Sequence, residues 1–482
     1  MRIRKRFGMN LAVLALFACA ANGVAAEPVP PATEPAFVRP ETSAIRVPDG
    51  AIHVDNLLDD EWAAAGDALN SCAFVVDAKK SWAYPDPERG KHEGPEDAGV
   101  TLHFAHDSKN LYIRADVHDN FLVNNADEKL PNNGDDLELF LDANPADARF
   151  GDKNNENVHQ IMFVPGGVNP LWEKAFIWQR EKNPGVEAAS RLRPWGYTMQ
   201  IKVPKELLPN WKEHPDLDAI GFEGLIGDAD APGVDCHHPA LKGALFFGTP
   251  ARHFLAPAQF MLLKLPKEPI KWGEVRREPK PKADEFIESL KKLDWFVPEM
   301  LAQTALDLID DPRAAEVAAA MIRVNDPAMC KAGAQILAVR PALKAPIDEL
   351  IELATPTAKE RAHSREITGY AMMALAERQK LPAEKFFDLY GKNDDPQLRL
   401  TYLWCCGVNR DAAIVPRLLE ILRKDPSTRA RMMAALALGE IGGQDTLQEL
   451  QKFAEKEPGS DVRNQALNSI KQIQAAATKP VE

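Results

Sequence analysis

The sequence predicts a multidomain chain: an all-β antiparallel sandwich followed by an all-α solenoid. Three observations carry this. Residues 45–265 hold short alternating or β-branched apolar runs, separated by Gly, Asn, Asp and Pro, with few helical periods. Residues 266–282, from Pro266-Lys267-Glu268-Pro269 to Lys280-Pro281-Lys282, are dense in proline and charge, the composition of a linker. From Ala283 the periodicity turns helical and a loose repeat emerges.

The chain starts with an export signal. Arg2, Arg4, Lys5 and Arg6 form a basic start, Leu11 to Ala21 an apolar run, and Val24-Ala25-Ala26 a small-residue cleavage site before Glu27. Residues 1–26 are therefore expected to be a signal peptide, and the protein secreted or periplasmic. Leu16-Phe17-Ala18-Cys19 leaves a lipoprotein alternative, although Phe17 is bulky for that motif. The apolar run is too short to span a bilayer, and no later stretch reaches about 18 apolar residues, so no transmembrane segment is expected. Residues 27–44, with Pro28, Pro30, Pro31, Pro35 and Pro40, read as an extended mobile leader.

Next come the strands. Val100–Ala105 and Asn110–Val117 are joined by His106-Asp107-Ser108-Lys109, a hairpin-type turn. Then follow 136–142, 160–164, 175–179, 197–203, 220–226 and 259–265. Two long loops, 77–98 and 228–257, are where a rigid sandwich tends to carry binding residues. Within Asp136–Asp142, Leu137, Leu139 and Leu141 alternate with Asp136, Glu138, Phe140 and Asp142. That pattern gives a strand with an apolar back and an acidic front bearing one aromatic residue. Such a front suits a ligand or an ion, or is simply solvated.

The helical part spans 283–476, with a tail at 477–482. Asp425-Pro426-Ser427-Thr428-Arg429 opens a segment ending in Leu438-Gly439-Glu440-Ile441-Gly442. It is echoed from Asp395-Pro396, from Gly459-Ser460-Asp461 and more weakly from Asp326-Pro327. Each Asp or Ser is a helix N-cap candidate, with Pro tolerated in the first turn. The recurring Ala and Gly let neighbouring helices approach closely. Over about 300–476 the pattern resembles HEAT repeats of the short, bilin-lyase-like kind. The resemblance implies a solenoid that offers a protein-interaction or spacer surface; an irregular helical bundle without a partner is the other reading.

Composition limits the function. A net charge of −13 and a pI near 5.5 argue against a nucleic-acid partner and are compatible with neutral sugars or cations. After the signal five cysteines remain: Cys72, Cys236, Cys330, Cys405 and Cys406. An odd, sparse set is not a disulfide framework. Export permits Cys72 to pair with Cys236, and the other three read as buried small hydrophobes. No CxxC, HExxH, Gly-x-Ser-x-Gly or P-loop occurs, and no carboxylate pair is singled out, so no catalytic residue is assigned. Asp235-Cys236-His237-His238 lacks a third metal ligand at fixed spacing.

Six landmarks in order make residues 45–265 resemble carbohydrate-binding modules of family 9, a DOMON-like sandwich of jelly-roll or immunoglobulin-like type. They are Ile52–Trp62, Ala105–Asp119, Asp136–Asp142, Gly196–Pro204, Ile220–Asp230, and Phe247-Gly248 with Phe260–Leu265. The resemblance implies glycan recognition, that is, a polysaccharide or oligosaccharide partner and at most an accessory role in carbohydrate catabolism. Sugar-binding members clamp the ring between two tryptophans. Here those positions hold Pro131-Asn132-Asn133-Gly134 and Leu241-Lys242-Gly243-Ala244. The clamp therefore does not carry over. Trp82 and Trp172 are the best substitutes, from loops rich in Pro and Gly, ahead of Trp178, Trp195 and Trp211; Trp62 belongs in the core. His159, Gln160 and Asn132 fall where the family reaches its ligand. Sugar-binding relatives carry structural calcium, and Asp119, Asp135, Asp228 and Asp230, together with Asp55 and Asp59, are the carboxylates available for it. Three expectations follow: an exported, non-catalytic glycan-binding protein whose helices dock a protein; a scaffold whose sandwich has lost its sugar; or a haem or metal carrier.

Overall fold

The computed structural model describes residues 41–55, 57, 59–77, 98–123, 135–143, 158–163, 175–177, 185–208, 211, 216–229, 241–246, 260–292, 297–324, 326–355 and 364–478. Residues 1–26, expected as a signal peptide, lie outside them. Strands are β1 (Glu41–Ser43), β2 (Ile45–Arg46), β3 (Asp59–Asp60), β4 (Phe74–Asp77), β5 (Ala98–His106), β6 (Asn110–Asp119), β7 (Asp136–Asp142), β8 (Val158–Phe163) and β9 (Ala175–Ile177). They continue as β10 (Glu187–Arg193), β11 (Gly196–Pro204), β12 (Ala219–Ala229), β13 (Leu241–Phe246), β14 (Met261–Lys264) and β15 (Arg276–Arg277).

Two sheets face each other. The first runs β1-β14-β12-β7-β8-β9, with β13 also on β12; the second runs β10-β11-β6-β5-β2, with β4 also on β5. Pairing is antiparallel except at two N-terminal edges, where β1 joins β14 and β2 joins β5 in parallel. Residues 41–43 were expected within a mobile leader. They form β1 because the edge of β14 offers unpaired backbone groups, and Ala44 N donates to Lys264 O at 2.9 Å just beyond. Alternation sends Leu137, Leu139 and Leu141 of the first sheet inward to meet Leu102, Phe104, Ile113, Met199 and Ile201 of the second; all are fully buried. Phe104 and Phe222 meet edge to face at 5.1 Å across the layers.

A second, smaller core lies behind the second sheet. Ile45, Val47, Ile52, Val54, Trp62 and Cys72 pack there on Ala105 and Tyr112. Trp62 is fully buried, as expected from the sequence. Cys72 is a free buried thiol whose Sγ donates to Leu69 O; Cys236 lies outside the described residues. The Pro- and charge-rich connector is fastened to this layer. β15 pairs with β3, Ile270 N donates to Arg46 O, Gly273 N donates to Ala64 O, and Trp272 packs on the small core.

The helices are α1 (Ala283–Leu290), α2 (Pro298–Leu306), α3 (Ala314–Arg323), α4 (Pro327–Val339), α5 (Ile347–Ala354) and α6 (Arg365–Glu377). Beyond these are α7 (Ala383–Tyr390), α8 (Pro396–Asn409), α9 (Val415–Lys424), α10 (Thr428–Ile441), α11 (Gln444–Lys456) and α12 (Ser460–Thr478). Even-numbered helices stack in one layer, and each odd-numbered helix from α3 onward packs on the helix that follows it. Local chemistry sets their starts. Asp326 caps α4, Asp395 caps α8 and Ser427 caps α10, with Pro327 and Pro396 in first turns. At Asp425-Pro426-Ser427 the serine, not the aspartate, takes the cap. The layers close because small residues meet: a Cβ on Gly407 of α8 would lie 2.7 Å from Ala437 Cα of α10.

The array docks on the sandwich, and one apolar core runs through both. Phe121 lies 4.6 Å from the Tyr370 ring of α6, and the Tyr370 hydroxyl donates to Leu122 O at 3.3 Å. Gly369 is required here, since a Cβ on it would come 2.6 Å from Phe121 Cζ. Arg191 of β10 grips Asp307, just beyond α2, with two hydrogen bonds of 2.7 and 2.6 Å. No helix among the described residues is long and apolar enough to cross a membrane.

Candidate functional site

The acidic front of β7 is the centre of the first sheet's outer face. β12 and β8 flank it, and the pairing register fixes the neighbours. Phe140 stands opposite Glu223 and Gln160, Glu138 opposite Leu225 and Met162, Asp142 opposite Gly221, and Asp136 opposite Gly227. The face thus gathers four carboxylates and one amide around an apolar patch. Gln160 Nε2 donates to Glu138 Oε2 at 2.5 Å. Phe260 closes on Phe140, with ring centroids 6.5 Å apart.

The alternation expected from the sequence holds, but the front is not solvated. Asp136, Glu138, Phe140, Asp142 and Glu223 are 2, 6, 1, 0 and 0 % exposed. Burial has the expected electrostatic result. The Asp136 carboxyl is pushed well above the usual carboxylate range, by burial first and then by the charge of Glu138. Burial raises Glu138 to about 7, against the opposing hydrogen bonds from Gln160 and Asp136. Both carboxyls are therefore biased toward their protonated forms compared with carboxylates in water. Carboxylate acceptors, an amide donor and a Phe/Leu/Met floor form a set suited to hydroxyl groups on an apolar scaffold.

Gln160 is the one expected ligand residue that the described structure puts on this front. His159 pairs with Leu141 in the backbone register, with its side chain outside the described set. Trp82, Trp172, Trp178, Asn132 and Asp230 lie outside the described residues. Of the expected calcium ligands, Asp119 and Asp135 hold loops. Asp119 Oδ1 accepts from Phe121 N, and the two Asp135 oxygens accept from Val123 N and Ala229 N. Asp228 lies on β12 opposite Gly243, with its side chain outside the described set. Among the described residues no group of three or more His, Cys, Asp and Glu side chains is arranged to hold a metal. Trp211 is buried, with the Lys205 ammonium 4.9 Å from its ring centroid, whereas Trp195 stands at the surface of the other sheet. Sequence reasoning missed Glu223 because its signal appears only when β12 is laid beside β7.

Comparison with known proteins agrees with this architecture. Residues 79–240 match the carbohydrate family 9 binding domain-like family, and residues 383–471 match HEAT repeats. The chain thus joins a family 9-like sandwich to a HEAT-repeat array. Similar solved structures are a family 9 carbohydrate binding module from Caldicellulosiruptor kristjanssonii in complex with cellotriose and with glucose. Each is 18% identical with a TM-score of 0.32, covering 47% of this chain and 94% or 96% of the module. A Geobacillus stearothermophilus protein, described as an uncharacterized protein in the gldA 3' region, is 35% identical over 66 residues. The chain spans 31% of that relative's length, and the match covers 14% of this chain.

Proposed function

We propose that this is an exported, non-catalytic glycan-binding protein. Its sandwich takes sugar hydroxyls on the outer face of the first sheet, and its HEAT array serves a protein partner. The carrying observation is the convergence of Asp136, Glu138, Glu223 and Gln160 around Phe140 on a family 9-like sandwich. The match of residues 79–240 to the carbohydrate family 9 binding domain-like family supports the ligand class, and the basic start followed by Leu11–Ala21 supports export. Trp82 and Trp172 remain the proposed ring-stacking residues, and Asn132 a proposed ligand contact. Affinity electrophoresis of the purified full chain through gels containing single polysaccharides tests this. Retardation by at least one polysaccharide, lost in Glu138→Gln and Gln160→Ala, is expected; unretarded migration in every gel would remove the sugar reading.

One observation favours a second reading. The front is almost wholly buried, which fits a scaffold whose sandwich kept its strands after losing the ligand. That reading requires Glu138→Gln to change stability and no binding property.

A further inference from the structure

We infer that the outer face of the second sheet, at its junction with the helices, carries a separate site for a carboxylate-bearing sugar residue, a hexuronate. A cavity of about 280 Å³ opens there, lined by Arg191, Arg193, Trp195, Thr198 and Gln200 with Arg114, and by two carboxylates, Asp60 and Glu278, that are each already paired with an arginine of the lining. The strands bring these residues together in cross-strand rows: Arg114 beside Gln200, then Thr198 beside Arg191, then Gly196 beside Arg193. None of them belongs to the acidic front, which lies on the other sheet.

Three features select the ligand. First, the cations are unequally matched. Arg191 is paired with Asp307 and Glu278, and Arg114 with Asp116 and Asp60. Arg193 donates only to neutral oxygens among the described residues: Thr198 Oγ1 at 2.9 Å and Gln303 Oε1 at 3.3 Å. It reaches Asp116 only through Thr198, whose hydroxyl donates to that carboxylate. Burial, with Arg191 and Arg114 nearby, lowers its pKa to about 10, a strain that an incoming anion relieves. A carboxylate suits the guanidinium fork.

Second, Gln200 is 4 % exposed and its Oε1 has no hydrogen-bond partner among the described residues. An unmatched buried acceptor is costly, and a ligand hydroxyl would satisfy it. A carboxylate alone cannot donate that bond; a hydroxylated acid can.

Third, Trp195 is 37 % exposed and borders the cavity. It sits at the β10–β11 hairpin tip. His118 stacks against it at 4.6 Å and 19°, and Asp119 N donates to its carbonyl at 2.8 Å. A ring held in this way offers an apolar platform to a pyranose face. The inference is independent of the function proposed for the first sheet, because that acidic front repels a uronate.

Titration calorimetry of the full chain with D-glucuronate, D-galacturonate, D-glucose and acetate tests the site. One of the uronates is expected to bind at least tenfold more tightly than either glucose or acetate. Arg193→Gln and Trp195→Ala should each weaken that binding at least tenfold, while Glu138→Gln leaves it unchanged. Trp195→Ala keeps the test decisive if Arg193→Gln does not fold. No uronate binding, acetate binding as tight as uronate, or binding indifferent to both variants would overturn the inference.

Discussion

Glu138 shows what burial does to a single side chain. Its folded-state pKa, about 7, is above the ordinary 4.5 because water is excluded from the carboxylate. The folded protein therefore binds more protons than the unfolded chain between these two values. The contribution is fully present below pH 4.5 and is lost as pH rises through about 7. Asp136, shifted in the same direction, adds to the effect. Urea unfolding at pH 5 and pH 8 should show the wild type losing stability relative to Glu138→Gln across this interval, on the order of a few kcal/mol by linkage. Parallel pH profiles for the two proteins would rule this out.

Among the elements, α8 and α10 show how closely the helices of the array are set. The Cβ of Gly407→Val would need space already occupied by Ala437, at 2.7 Å from its Cα and 3.0 Å from its Cβ. The helices must separate or the side chain must strain, costing about 1–3 kcal/mol as overpacking does. Equilibrium denaturation of Gly407→Val should report that loss, and a variant as stable as wild type would mean the layers are looser than this spacing implies. The cap at Asp395 makes a gentler comparison. It receives hydrogen bonds from Gln397 N and Leu398 N at 2.9 Å, so Asp395→Ala should cost about 1 kcal/mol.

For the whole molecule, sandwich and array share one apolar core sealed by Phe121, Tyr370 and the Arg191–Asp307 grip. The helical array is thus clamped to the sandwich through its first half. The outer surfaces of the array and of the sandwich are therefore held in a fixed relation, without a free tether. Phe121→Ala should remove about 3–5 kcal/mol, as large buried aromatics do, and should lower the stability of both halves together. Far-UV dichroism, dominated by the helices, and the near-UV signal of the sandwich tryptophans should lose amplitude at one shared midpoint. Separate midpoints in wild type would show that the two halves unfold independently.

Much of this was legible in the sequence, for a local reason. The alternation of Leu137, Leu139 and Leu141 needs only the two-residue period of a strand, and the caps at Asp326 and Asp395 need only the next three residues. The hairpin at Asp107 likewise needs only its own side chain, which accepts from Lys109 N and Asn110 N. The buried state of the acidic front was not legible, because alternation gives two faces and does not say what covers the second. Nor was the site around Arg193, where Gln303 comes from 110 residues away, or the docking of Tyr370 on Leu122, 248 residues apart. The sequence by itself determined which residues turn inward and where each helix starts, since those depend on neighbours along the chain. Only the tertiary structure decided which charges lose their water and which polar groups meet, since those depend on neighbours across it.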